Sequence, residues 1–410
     1  MRRRSRVGLL ALAFATLAFA RPVGTAGPPT RRSLDSKERD AILSLLEAVD
    51  LAQDVDAQSD AGLAWDSHVL RAGDEVAYVP FRLTLSGVAD GFKSTAMYVR
   101  VVSRRDGVRV SEERSFLREW VLHGGGAVPR RAETVYVGPG EFPVGLAAGS
   151  TRPSVSGPGA ASAALALQER QYEKQRTAAA EAKTKQEARQ RDPLIFPFEE
   201  YYFYELKTSR AGEPRSVERA LSLPPGEYDV FVALVDRGRL KTSSPTILKR
   251  TITVPDFWND RLALSSLILS KDVHPLEAPL AAPQQAEHPY ALGQTEVVPV
   301  LTRSFSTDDA LSVVFQVCNY GAPDSDLTLE YTFYRTDPTR RLFNRTEPQQ
   351  YADADLPPPG MWSTQAFAMQ TVPLLPFPPG AYELEITARD RLTRATAKET
   401  VAFTVVSGVR

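Results

Sequence analysis

The 410-residue sequence predicts a mainly β protein of tandem antiparallel β-sandwich domains, with an N-terminal helix and a long helical insertion. Three observations predict it. Runs of β-branched and aromatic residues, bounded by Gly, Pro, Asp and Ser, follow one another from Ala64 almost to the end. One motif recurs, as LPPGEYDVFVALVD at Leu223 to Asp236 and as FPPGAYELEITARD at Phe377 to Asp390. Between strand-rich blocks stands ALALQERQYEKQRTAAAEAKTKQEARQRD, a stretch of helix formers without Gly or Pro.

The chain opens on MRRRSR, a basic segment, then the apolar run VGLLALAFATLAFA, then Ala18-Phe19-Ala20. That order predicts a signal peptide over residues 1–20, with a cut after Ala26 as the alternative. The expected location is secreted or periplasmic. The apolar run is too short to span a bilayer comfortably, and no later segment has 18 consecutive apolar residues. No transmembrane segment is expected after cleavage.

Residues 21–60 read as a linker and an amphipathic helix. In DSKERDAILSLLEAVDLAQD, Ile42, Leu45, Leu46 and Val49 recur at helical spacing, and Asp35 with Glu38 forms the helix start. The apolar stripe is expected to dock on the domain that follows.

Residues 61–255 read as the first sandwich. EVAYVPFRLTLSG, STAMYVRVVSR, VSEERSFLREWVLHGGG and AETVYVG are read as its strand-rich part. An insertion at 145–192 interrupts it, first Gly/Ser/Pro-rich and flexible, then helical. Beyond alanine its helix offers only Leu165, Leu167 and Tyr172 as apolar residues, so it is expected to be solvated. FEEYYFYELK, SVERALSL, EYDVFVALVD and TILKRTITVP complete the domain. DFWND marks a boundary, and residues 256–410 read as the second sandwich. RLALSSLILS is its first strand and HPLEAPLAAPQQAEHP a proline-rich loop. LSVVFQVCNYG, LTLEYTFYR, MWSTQAFAMQTV, AYELEITARD and ETVAFTVVSG follow.

In the recurring motif Pro225 and Pro379 fix φ at a corner, and Gly226 and Gly380 are expected to supply the positive φ of a type II turn. Tyr228 and Tyr382 then open alternating strands. Val230, Val232 and Leu234 share a face with Tyr228, while Phe231, Ala233 and Val235 take the other. Tyr382, Leu384, Ile386 and Ala388 share a face in the second copy. Upstream, EYYFYE at Glu200 is matched to EYTFYR at Glu330; downstream, TITV at Thr251 is matched to AFTV at Ala402. The turn feeding a Tyr-led strand resembles the tyrosine corner of immunoglobulin-like and fibronectin-type-III domains. The resemblance implies a tyrosine hydroxyl bonded back to the chain. One residue fewer separates Gly from Tyr than is usual in fibronectin-type-III domains, so the likeness is to the sandwich class. WDSHVLRAGDEVAYVPFRLTL, LPPGEYDVFVALVD, TVPDFWNDRLALSSLILS and FPPGAYELEITARDRLT also look like secreted bacterial proteins of largely unknown function. Some of these carry a von Willebrand factor A domain; its Asp-x-Ser-x-Ser metal motif does not occur in this chain.

Chemistry-bearing motifs are sparse. A net charge of −1 gives no pull toward nucleic acid. Cys318, in an apolar run, reads as a buried small hydrophobe. His68, His123, His274 and His288 show no metal-ligand spacing, so no metal or cofactor is expected. His123-Gly-Gly-Gly lacks the Gly-x-Ser-x-Gly partner of an esterase, and PDSD at Pro323 to Asp326 reads as a turn. Asp236 and Asp390, each followed by Arg, are expected to hydrogen-bond turns or to form a local ion pair, in preference to paired acid/base catalysis. Tyr202 and Tyr204 alternate with Tyr201 and Phe203, which match core positions. An outward Tyr202–Tyr204 pair would stack on a sugar or anchor a partner; the alternative is that the insertion or the N-terminal helix covers it. The reading is an exported, non-catalytic protein with a protein partner in the cell envelope. The alternative is a carbohydrate-binding or enzyme-accessory module, with a glycan as ligand.

Overall fold

A computed structural model describes residues 34–55, 62–87, 92–118, 121, 195–205, 215–321, 326–352, 356 and 365–408, apart from single positions within these ranges. The signal peptide of residues 1–20, the insertion at 145–192, the His123 glycine run, AETVYVG and most of Pro323 to Asp326 lie outside the described residues.

Helix α1, Ser36–Val55, starts where the sequence places it. The Glu38 amide donates to Asp35 Oδ1 at 2.8 Å, and the Asp35 amide donates to Glu38 Oε2 at 3.1 Å. This reciprocal capping box satisfies two amides that the helix leaves open. Ile42, Leu45, Leu46 and Val49 are fully buried. Among the described residues no helix is long and apolar enough to cross a membrane.

The rest is mainly β, in four sheets that pack as sandwiches. In sheet I, β3 (Ala77–Leu85) is flanked by β7 (Arg215–Leu223) on one side and by β1 (Leu63–Ser67) and β2 (Leu70–Arg71) on the other. In sheet II, β4 (Ser94–Arg105) pairs with β8 (Gly226–Asp236) on one side. On its other side lie β6 (Phe198–Glu205) and β5 (Val108–Arg109), and β9 (Thr246–Val254) extends the sheet beyond β8. Val79, Phe81 and Leu83 of sheet I meet Met97, Val99, Val230 and Val232 of sheet II in one core. The opposite face of sheet II, with Tyr98, Phe231, Ala233 and Val235, lies under the α1 stripe. β8 is therefore covered on both faces, which is why both of its alternating sets are apolar.

In sheet III, β15 (Ala310–Cys318) lies between β19 (Gln365–Pro373) and the short pair β10 (Ala263–Leu264) and β11 (Ile268–Pro275). β13 (Thr295–Pro299) and β12 (Ala291–Leu292) extend it. In sheet IV, β20 (Gly380–Asp390) lies between β16 (Asp326–Arg335) and β21 (Thr396–Val406). β17 (Arg341–Arg345) and β18 (Gln349–Ala352) pair with the free side of β16, and β14 (Ser304–Ser306) runs parallel to β21. Leu311, Val313, Phe315 and Val317 of sheet III face Leu329, Tyr331, Phe333, Leu384 and Ile386 of sheet IV. The outer faces of sheets I and III meet through Leu70, Tyr78 and Ala220 against Ile268, Tyr290, Leu292 and Val314. The layer order is thus α1, II, I, III, IV.

Several expectations change. In VSEERSFLREWVLHGGG, Leu117, Arg118 and Val121 are helical. Ser115 Oγ accepts from the Arg118 amide at 2.9 Å, an N-cap contact, and Leu117 and Val121 bury against the α1 cluster at helical spacing. RLALSSLILS breaks into β10 and β11, because Ser265 Oγ accepts the Gln316 amide at 2.8 Å and holds the chain at a bend. The proline-rich segment holds a single helical turn, α2 (Ala282–Gln285). The match of EYYFYE to EYTFYR is also corrected. EYYFYE lies in β6 at a sheet edge, whereas EYTFYR lies in β16 inside sheet IV. The strand that stands beside β8 as β16 stands beside β20 is β4: Ser103 pairs with Tyr228, and Arg335 with Tyr382.

Candidate functional site

The two Pro-Pro-Gly-x-Tyr segments have like surroundings. Gly226 pairs with Val254 and Tyr228 with Ile252; Gly380 pairs with Val405 and Tyr382 with Phe403. The Tyr228 hydroxyl donates to the Pro224 carbonyl at 2.8 Å, and the Tyr382 hydroxyl to the Pro378 carbonyl at 2.6 Å. Each ring thereby ties its strand to the turn before it. The turn differs from the expected type II form. Gly226 and Gly380 have φ of 156° and 155°, far from the +80° of a type II corner, and each is the first residue of its strand. The φ at both positions favours glycine, and space there is tight as well. A Cβ at Gly226 would come within 3.1 Å of the Tyr228 hydroxyl, and one at Gly380 within 3.1 Å of the Arg335 guanidinium.

Tyr202 and Tyr204 are not an outward platform. On β6 it is Tyr201 and Phe203 that lean on the α1 cluster, while Tyr202 and Tyr204 pack against the core between sheets I and II. Their rings stack with centroids 6.1 Å apart. The Arg219 guanidinium of β7 lies over both, 5.1 and 4.8 Å from the ring centroids. Arg219 also donates to the Ala286 carbonyl at 3.1 Å, so a segment next to α2 closes over the group. The Tyr202 hydroxyl bonds Glu200; the Tyr204 hydroxyl is buried without a hydrogen-bond partner among the described residues. Burial raises both phenol pKa values well above the ordinary range, and the Glu200 charge adds to the rise at Tyr202. The expectation of an exposed pair is corrected. One face of sheet II is closed by α1, so both alternating sets of β6 are drawn inward.

Of the two roles expected for the recurring aspartates, the structure shows turn bonding. Asp236 Oδ1 accepts from the Gly238 amide at 2.9 Å. Asp390 accepts from the amides of Gly321 and Leu392 at 2.6 and 2.9 Å and from the Thr393 hydroxyl at 2.8 Å. Cys318 is fully buried, and burial pushes its thiol up to about 12 despite the Arg71 guanidinium beside it. His274 stands across the ladder from Glu296, whose carboxylate binds His288 Nδ1 at 2.9 Å. Among the described residues no three His, Cys, Asp or Glu side chains are gathered closely enough to hold a metal ion.

Sequence reasoning missed two polar clusters. At the contact of sheets I and III, His68 Nδ1 lies 3.1 Å from the Tyr290 hydroxyl, which also donates to the Pro80 carbonyl at 3.3 Å. Burial lowers the His68 pKa from 6.5 to about 4; Asp66 opposes that shift and Arg303 and Arg82 add to it. The 4.0 Å approach of His68 to Asp66 is therefore no ion pair at neutral pH. Nearby, the Gln316 side chain accepts from the Arg71 amide at 2.6 Å and donates to the Arg71 carbonyl at 3.0 Å, imitating a ladder across the junction. The second cluster lies under α1. Arg100 is almost fully buried, lies 4.4 Å over the Phe196 ring and donates to Asp50 at 2.6 Å. The signal in both cases was a polar residue inside an apolar strand run, Arg100 in MYVRVV and Gln316 in VVFQVC.

No family model matches the chain, and no curated protein matches it. Among solved structures it is similar to a red sea bream transglutaminase at 6% identity, covering 88% of this chain and 34% of that one, with a TM-score of 0.21. It is similar to a β-glucuronidase of Bacteroides uniformis at 11% identity, covering 80% and 26%, TM-score 0.21. It is similar to native α-2-macroglobulin of E. coli at 10% identity, covering 85% and 17%, TM-score 0.20. The chain spans about a third or less of the length of these proteins. At these TM-scores the likeness carries no argument about the chain.

Proposed function

We propose that this chain is an exported, non-catalytic protein of two immunoglobulin- or fibronectin-type-III-like sandwiches that works through protein–protein contacts in the cell envelope. One observation carries the reading: the same hydroxyl-to-turn tyrosine contact, at the same ladder register, in both halves. Strand order supports it. β3 stands between β7 and the β1–β2 pair as β15 stands between β19 and the β10–β11 pair, and β8 stands between β4 and β9 as β20 stands between β16 and β21. The residues common to both halves are engaged in holding sheets, so the binding role is assigned to surfaces that differ between them. The likeness to secreted bacterial proteins belongs to the same proposal, as does export by residues 1–20.

Site-specific photo-cross-linking in native envelopes tests the reading, with the probe placed in turn at exposed positions of the sheet edges. The expected result is one discrete protein adduct that is lost when residues 1–20 are deleted and the protein stays in the cytosol. Purified protein that turns over an envelope polymer catalytically would overturn it.

A further inference from the structure

The polar contacts across the junction of the two halves fall into two groups. One group is neutral. The Val69 amide donates to Ser266 Oγ at 2.8 Å, the Gln316 side chain bonds both backbone groups of Arg71, and the Tyr78 hydroxyl donates to the Pro289 carbonyl at 2.9 Å. The other group is built from ionisable side chains and surrounds His68. Asp66 of β1 pairs with Arg303 of the second half at 3.2 Å. Arg82 of β3, itself paired with Glu218 of β7, donates across the junction to the Pro299 carbonyl at 3.3 Å. Between them His68 sets Nδ1 on the hydroxyl of Tyr290, which belongs to the second half. Of the three histidines among the described residues only His68 is buried, and Tyr290 is buried with it; His274 and His288 are exposed.

A buried charge without a close partner is costly. A proton on His68 would meet no carboxylate within hydrogen-bond reach among the described residues. Asp66 stands 4.0 Å away and already holds Arg303, and Glu218 already holds Arg82. Arg82 from β3 and Arg303 from the segment before β14 face the ring with like charge. In water the same imidazole takes up its proton at the ordinary value of 6.5. Neutral imidazole therefore fits a closed junction, and imidazolium fits an open one. Each half also has a core of its own between its own two sheets, separate from the junction.

We propose that His68 is an acid-released latch: its protonation parts the two halves at the contact of sheets I and III while each sandwich stays folded. Opening uncovers Leu70, Tyr78 and Ala220 on one half and Ile268, Tyr290 and Val314 on the other. The sign follows from burial. Closure is undiminished above pH 6.5 and weakens as pH falls toward 4, because the open form takes up the proton first. Between pH 7 and 4.5 the ratio of closed to open protein should fall roughly fiftyfold. The latch acts on the arrangement of the halves and does not depend on the binding role proposed above.

Small-angle scattering of the full chain between about pH 7 and 4.5, with circular dichroism at each step, tests it. The expected result is a radius of gyration that rises below pH 6.5 while the β signal is unchanged. His68→Gln keeps a neutral hydrogen-bonding side chain and is expected to stay compact over the whole range. Asp66→Asn removes the one carboxylate that faces His68, together with its bond to Arg303, and is expected to open at a higher pH than the wild type. The wild type and Asp66→Asn carry the test even where His68→Gln does not fold. A wild type that stays compact to pH 4.5 overturns the latch. So does a His68→Gln variant that expands as the wild type does, an Asp66→Asn variant that opens at the same or a lower pH, or an expansion that coincides with loss of the β signal.

Discussion

The hydroxyls of Tyr228 and Tyr204 lie in one protein and should respond oppositely to the same substitution. Tyr228 donates to the Pro224 carbonyl, so Tyr228→Phe leaves that acceptor to find another donor and costs about 1 kcal/mol by urea unfolding. Tyr382→Phe, with its bond to Pro378, behaves alike. Among the described residues the buried Tyr204 hydroxyl has no hydrogen-bond partner, so Tyr204→Phe should be neutral or stabilising in the same assay. His68 supplies a pH dependence of defined sign. Its pKa is lowered on folding from 6.5 to about 4 by burial. Its contribution is whole above pH 6.5 and drains as pH falls toward 4, because the unfolded chain takes up the proton first. The loss over that window is about 3 kcal/mol for a buried group with this shift. A pH series on wild type and His68→Gln checks it: the variant should be less pH-dependent between 6.5 and 4.

At the scale of the element, α1 and β6 show how a neighbour decides what a face means. The α1 stripe was legible, since Ile42, Leu45, Leu46 and Val49 follow the helical period and all four are buried. Leu45→Ala should cost roughly 2–5 kcal/mol, the usual range for a fully buried leucine. Amide exchange should quicken first in α1. Arg100→Ala should be destabilising by the same unfolding measurement, because the buried Glu199 loses the guanidinium it faces, whereas the half-exposed Asp50 keeps Arg118 and water. The alternation of β6 was equally legible, but its meaning was not. EYYFYE reads the same whether the second tyrosine face is open or closed, and Arg219, which closes it, comes from a strand that follows it in the chain. Strands β13, β14, β17 and β18 were not anticipated. They are short, and β17 and β18 are polar, so they hold position by pairing with longer neighbours.

Across the whole molecule, the contact between sheets I and III couples the halves. Tyr290 is fully buried there and meets both His68 and Pro80. Wild-type protein should melt in a single calorimetric transition. Tyr290→Ala, which removes a large buried ring and orphans His68, should split it into two. A variant that still melts in one transition would show that the halves do not depend on this contact.

The sequence alone determined what local spacing can encode. It determined the helix start at Asp35, the α1 stripe, the periods of the long strands, the two tyrosine corners and the turn roles of Asp236 and Asp390. Each depends on residues a few positions apart, and the physics acts over that distance. The tertiary structure decided which strand stands beside which. It exchanged β6 for β4 as the neighbour of β8, sent the Tyr202–Tyr204 pair inward, and set His68 on Tyr290 more than two hundred residues away. Burial is a property of what packs against a face. A strand specifies that it has two faces, and the other layers of the fold determine what each face meets.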